Sequence, residues 1–197
     1  MKGFKFVIVL IIALAVIAAA AVYAVLAGNT VWAYDAAFLA VLLLIVYACR
    51  GFLNLTSFLF ALLGLAAIMH MAGAFGAFKT VLLGMEYDTY VHFMTGAIGV
   101  LIVYNFLALK QLGTMERVAI ALLLLLGIDL VHELLEFAGY NLFGQGEGLF
   151  LLGPGDIGRT NAYENLMTDF SNEFLGALLG LVAGLVYEYL SGKRRSK

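Results

Sequence analysis

A chain of 197 residues that is 64% hydrophobic and 12% charged, with a mean hydropathy of +1.02, falls outside the soluble globular class, where about a quarter of residues carry charge. A formal net charge of −2 also excludes a strongly basic surface built to hold nucleic acid. Composition alone makes it an integral membrane protein.

About 20 apolar residues span a bilayer as a helix, and six stretches fit: 6–27, 31–49, 52–71, 90–109, 118–140 and 166–190. The expected fold is an all-α polytopic transmembrane bundle, one integral membrane domain of 1–197 in a multi-pass arrangement. The first stretch follows Lys2 and Lys5 and ends in Val25, Leu26 and Ala27, so it reads as an uncleaved anchor or as a signal peptide. Its length favours the anchor, because the apolar core of a signal runs about 7–15 residues. The first two spans are rich in Ala, Val and Leu and read as scaffold, with Asn29 and Asp35 near one end. The third ends in His70, placing all three histidines at one level. The connection 72–87 carries Gly73, Gly76 and Gly84, and its part 75–83 fits an interfacial segment. The longest loop, 141–165, is glycine-rich around an apolar centre, Leu149 to Leu152, and reads as a lid or an interfacial dip. The only proline, Pro154, lies in that loop, which agrees with unbroken helices. The lone Cys49 can form no internal disulfide.

Orientation follows from Lys and Arg, which cytoplasmic loops retain. Lys2, Lys5, Arg50, Lys110, Arg117, Lys193, Arg194, Arg195 and Lys197 fall on one side, and Lys79 and Arg159 on the other. Both termini are therefore expected in the cytoplasm, with the chain in the plasma membrane. The acidic residues, apart from Glu116 and Glu188, gather toward the other side and give it an acidic mouth that attracts cations.

That mouth holds the chemistry-bearing residues. The fourth span opens with Asp88 and, one turn in, His92. The fifth carries Asp129, His132, Glu133 and Glu136 within two turns, His132 and Glu136 sharing a face. The sixth opens with Asp169, Asn172 and Glu173. A charge inside a span costs roughly 2.5–3.5 kcal/mol on insertion scales, so such groups face a partner or a wet cavity. A single carboxylate at a helix end has a bland explanation: Asp88 can cap its helix, and others can share a proton. Nine polar groups on three spans at one level do not reduce to that, and Lys79 and Arg159 are too few to neutralise them. Imidazole and carboxylate sets bind Zn, Mn or Fe. Gly176, Gly180 and Gly184, with Gly96 and Gly99, read as close helix packing.

The order of these features is specific: Asp88 with His92 and Phe93, then a helix ending in Glu133 and Glu136, then Gly155 and Asp156, then Asp169, Asn172, Gly176 and Ala177. It resembles the VanZ-like and YjdF-like families of small bacterial and archaeal membrane proteins, over residues 87–185. Thr89 stands where those families often carry Lys, so no role of that lysine transfers. The resemblance implies a polar site and, through the association of VanZ with resistance to a glycopeptide antibiotic, the cell envelope; it implies no reaction.

Three functions remain in view. The first is a metal-dependent hydrolase or transferase at the outer face, acting on a lipid or envelope precursor. Its metal ligands are His92, His132, Glu136 and Asp169; Glu133 is the general base, and Asp88 and Asn172 orient ligands. The second is a proton-coupled transporter with a relay of Asp129, Glu133, His132 and His92, although the inner halves of these spans are almost without polar groups. The third is a non-catalytic scaffold or sensor. No phosphate-binding loop or haem signature points elsewhere.

Overall fold

The computed structural model describes residues 2–143 and 162–191. The expectations placed on 144–161, including the apolar loop centre, Gly155, Asp156 and Arg159, and on the basic end 192–197 lie outside the described residues. Six helices follow in order: α1 (Lys2–Leu26), α2 (Val31–Ala48), α3 (Ser57–Met71), α4 (Tyr87–Leu107), α5 (Thr114–Phe143) and α6 (Ala162–Leu190). All six are long and apolar enough to cross a membrane. The last three begin several residues before their apolar stretches. Backbone pairing runs on through polar residues wherever helical geometry is not interrupted.

Local signals account for the helix ends. Gly28, in the left-handed region at φ +83°, turns the chain between α1 and α2. The side chain of Thr56 caps α3 by accepting from the Leu59 amide at 3.2 Å. Between α3 and α4 the chain makes two short 3₁₀ turns (Ala72–Phe75 and Ala77–Lys79) and then a hairpin of β1 (Val81–Leu82) and β2 (Met85–Glu86). Val81 pairs with Glu86 and Leu82 with Met85. The two turn residues, Leu83 and Gly84, both have positive φ, the geometry of a tight two-residue hairpin turn. Where sequence reading gave a flat interfacial stretch, the structure forms a folded plug, with Phe78 packed against Trp32, His70 and Tyr87.

The helices pack as two trios. In one, Ile17, Trp32, Leu43 and Phe60 of α1 to α3 fill a buried apolar core. In the other, Val100 of α4, Ala121 and Leu125 of α5, and Ala177 and Leu181 of α6 do the same. Around them the exterior is apolar: Leu123, Ile128, Val131, Leu134, Leu179 and Val182 are each more than half exposed, as a lipid-facing surface requires. In water such a surface would drive association.

Glycine decides how α4 and α6 meet. A methyl group at Gly96 would overlap the Glu173 carbonyl, and one at Gly176 or Gly180 would run into the carbonyl of Phe93 or Ala97. Hydrocarbon supplies no hydrophobic drive between helices, so close backbone approach of this kind is what holds them. At the end of this trio away from Asp88, Arg117 of α5 makes a bidentate pair with Glu188 of α6 at 2.8 and 2.9 Å. Tyr104 of α4 donates to the same carboxylate at 3.0 Å, and the guanidinium lies 4.5 Å from its ring centre. On the same side, Asn54 and Asn105 donate to each other's backbone carbonyls, tying the loop before α3 to α4.

Two consequences can be checked by thermal unfolding in detergent. Gly176→Val should lower stability by about 1–3 kcal/mol through overpacking against Phe93, whereas Gly127→Ala, which meets nothing within 4 Å, should leave it unchanged or raise it. Arg117→Met should cost about 1.5–3 kcal/mol, the usual scale of a hydrogen bond to a charged group.

Candidate metal centre

Three rows of residues, each spaced by four, line the inside of the second trio. On α4 the row is Asp88, His92, Gly96, Val100 and Tyr104; on α5 it is Arg117, Ala121, Leu125, Asp129 and Glu133; on α6 it is Asn165, Asp169, Glu173, Ala177 and Leu181. Residues four apart lie one above another on a helix, so each row is a face. Nearly all members are buried: Asp129 is 2% exposed, Glu133 0%, Asp169 1% and Glu173 5%. Each row is polar toward one end of the bundle and apolar in its middle. The acidic groups therefore occupy core positions, while leucines on the same turns face outward.

At the polar end His92 stands among carboxylates. Its Nε2 lies 3.5 Å from Asp88 Oδ1 and 3.9 Å from Asp169 Oδ1, and its Nδ1 lies 3.7 Å from Glu173 Oε2. These gaps exceed a hydrogen bond between nitrogen and oxygen, about 2.7–3.2 Å. The Asp88 gap is close to the edge of a coordination tetrahedron, where ligands about 2.0–2.2 Å from a metal ion stand roughly 3.4 Å apart, and Asp169 lies on the same ring nitrogen; Glu173 faces the other nitrogen and so stands outside that set. Asn165 donates to Asp169 Oδ2 at 2.6 Å, fixing that carboxylate and leaving Oδ1 toward His92. A partner of this kind commonly orients a metal ligand.

A second group forms on α5. His132 Nε2 lies 3.2 Å from Glu136 Oε1, and ligand atoms of His132, Glu133 and Glu136 all fall within 4.8 Å of one another, as do those of Asp88, His92 and Asp169. His132 keeps a quarter of its side chain exposed and sits at the mouth. Glu133 is fully buried, and neither of its oxygens meets a hydrogen-bond donor among the described residues; the same holds for Asp129. What faces Asp129 is another carboxyl, that of Glu173. Buried carboxylates without donors are strongly unfavourable unless a proton or a cation joins them.

Sequence reading grouped His92, His132, Glu136 and Asp169 as one ligand set. The structure divides them between the two groups, His92 and Asp169 in the first and His132 and Glu136 in the second. Asp88, expected only to orient, joins the first group directly. Glu133, expected as base, belongs to the second. Asn172 joins neither: its Nδ2 is buried and meets no partner among the described residues, and the residue borders a shallow surface groove with Tyr163, Met167 and Ser171. Two positions were missed. Asn165 fell inside the stretch read as loop, although its spacing of four from Asp169 was legible; Glu173 was seen as polar but not as the neighbour of His92, which only the docking of α6 on α4 reveals. His70, at the same level in sequence, pairs instead with the buried Asp35 at 3.1 Å.

The fold and its buried acidic rows define a six-helix integral membrane protein with a polar centre at one end. The chain belongs to the family described as predicted membrane protein DUF2238, which matches residues 6–189. No curated protein and no solved structure matches the chain.

The orphaned carboxyls carry a prediction. In protein kept free of metal by chelator, Asp129→Asn should hold or raise the unfolding temperature, because it replaces a buried carboxyl that faces Glu173 and meets no hydrogen-bond donor among the described residues. A lower value would mean that the carboxyl is satisfied in the folded chain.

Proposed function

We propose that this end of the bundle is a divalent metal centre serving a hydrolase or transferase that acts on a lipid or lipid-linked envelope precursor. The observation that carries the reading is His92 Nε2 facing Asp88 and Asp169, their ligand atoms within 4.8 Å of one another, beside a fully buried Glu133 that meets no donor among the described residues. Nitrogen and carboxylate donors suit Zn, Mn or Fe. Bound there, such an ion would bring the pKa of a water ligand toward ~7 and polarise an acyl or phosphoryl oxygen.

The chain's own residues account for the rest. Asp88, His92 and Asp169 form the first ligand group, and Asn165 orients Asp169. Glu133 takes the proton of the attacking water, or of an attacking hydroxyl in a transfer, and returns it to the departing oxygen. The lipid-facing surface of α5 and α6 delivers a substrate whose apolar part stays in hydrocarbon while its polar bond reaches the mouth. The distribution of Lys and Arg supports an extracytoplasmic mouth, and the likeness to VanZ-like proteins supports a plasma-membrane setting and an envelope substrate.

One feature favours surface chemistry over transport. Between the polar centre and the Arg117, Glu188 and Tyr104 cluster, the core consists of Val100, Ala121, Leu125, Ala177 and Leu181, which offer an ion no path through the trio.

Protein purified without chelator should carry bound Zn, Mn or Fe by elemental analysis and should convert members of a lipid and lipid-phosphate panel followed by mass spectrometry. Glu133→Gln should lower turnover by about 10²–10⁴-fold, the span of general acid–base catalysis. A metal-free preparation that gains no metal on reconstitution and converts no lipid sinks the reading in favour of a structural cluster.

A further inference from the structure

We infer that the centre is binuclear: one divalent cation sits among Asp88, His92 and Asp169, and a second sits among His132, Glu133 and Glu136. The inference rests on reading this end as a metal centre and adds its stoichiometry and the division of its ligands. Each group has the same make-up, one imidazole and two carboxylates, with ligand atoms within 4.8 Å of one another. A single ion uses only one of them. Glu133 of the second group is fully buried, its oxygens meet no donor among the described residues, and His92 and Glu173 are close enough for their charges to act on its own.

Charge points the same way. The site gathers six carboxylates: Asp88, Asp129, Glu133, Glu136, Asp169 and Glu173. Even if Lys79 and Arg159, the only basic residues assigned to this side, were each set against one of them, four would remain. Protons or cations must balance those, and a divalent ion in each group is enough to balance all four. Helical bundles that hold paired iron or manganese ions use the same materials, inward-facing carboxylates with one histidine for each metal. Here the two histidines come from different helices, one in each group. A carboxylate offers about four lone-pair sites, so Glu133 can ligate the second ion through one oxygen and still accept a water's proton through the other. An ion held by each group would let the pair act as a clamp on the attacking and departing oxygens.

The full chain, purified in detergent, stripped with chelator and reloaded with Mn(II), gives the test. Elemental analysis should find two Mn per chain, and electron paramagnetic resonance should show the exchange-coupled signal of a close pair. His92→Ala and His132→Ala should each keep one Mn with the six-line spectrum of an isolated ion, and His70→Ala should keep both. If an alanine variant fails to fold, His92→Gln and His132→Gln replace it, and the count in the unmodified chain stands by itself. One Mn per chain in the unmodified protein overturns the pair while leaving a mononuclear centre. Two ions that remain magnetically isolated and both survive His132→Ala place the second elsewhere and also overturn it. No bound Mn, Zn or Fe at all sinks the metal reading itself.

Discussion

Six carboxyl groups and two imidazoles packed into one end of a helical bundle in hydrocarbon set the central constraint on this protein. Ionised side chains in that setting need partners. Among the described residues these include two histidines and one another, with Asn165 as a donor to Asp169. The rest of the trio is arranged so that the constraint can be met. Glycines on α4 and α6 bring their backbones together, which sets Glu173 beside His92. At the opposite end Arg117, Glu188 and Tyr104 tie all three helices with a fully satisfied set of charges.

The contrast between these two clusters is informative. The Arg117 cluster is closed: cation, anion and hydroxyl are matched in number and geometry, which is how a membrane protein makes a polar group structural. The His92 cluster is looser: the imidazole stands 3.5–3.9 Å from its carboxylates, and Asp129 and Glu133 meet no donor among the described residues. A closed cluster explains itself through stability. A looser one is not explained by stability alone, and its imidazole and carboxylate donors are of a type suited to a hard or borderline cation.

The first trio plays a different part. Its core is almost wholly apolar, and its one prominent polar contact, Asp35 with His70, is held under the plug formed by Phe78 and Trp32. Tyr87 carries this packing to the start of α4, donating to the Met69 carbonyl at 3.1 Å directly before Asp88. The scaffold half thereby fixes where the first carboxylate of the site emerges.

The sequence by itself determined the membrane class, the six spans and the level at which the polar groups gather, because each follows from local quantities: apolar length, and residue type at helical spacing. It also made legible that Asp88 with His92, and His132 with Glu136, share helix faces. It could not say which face of α5 turns inward. His132 and Glu133 are neighbours in the chain, yet one stands at the mouth and the other is fully buried, a difference of one step around the helix that only its neighbours decide. Nor could it separate His70 from the other histidines, or divide one presumed ligand set into two groups. Spacing along a helix is fixed by backbone geometry, whereas contact between helices depends on how their surfaces interlock. Here that interlocking runs through Gly96, Gly176 and Gly180, residues whose contribution is the absence of a side chain.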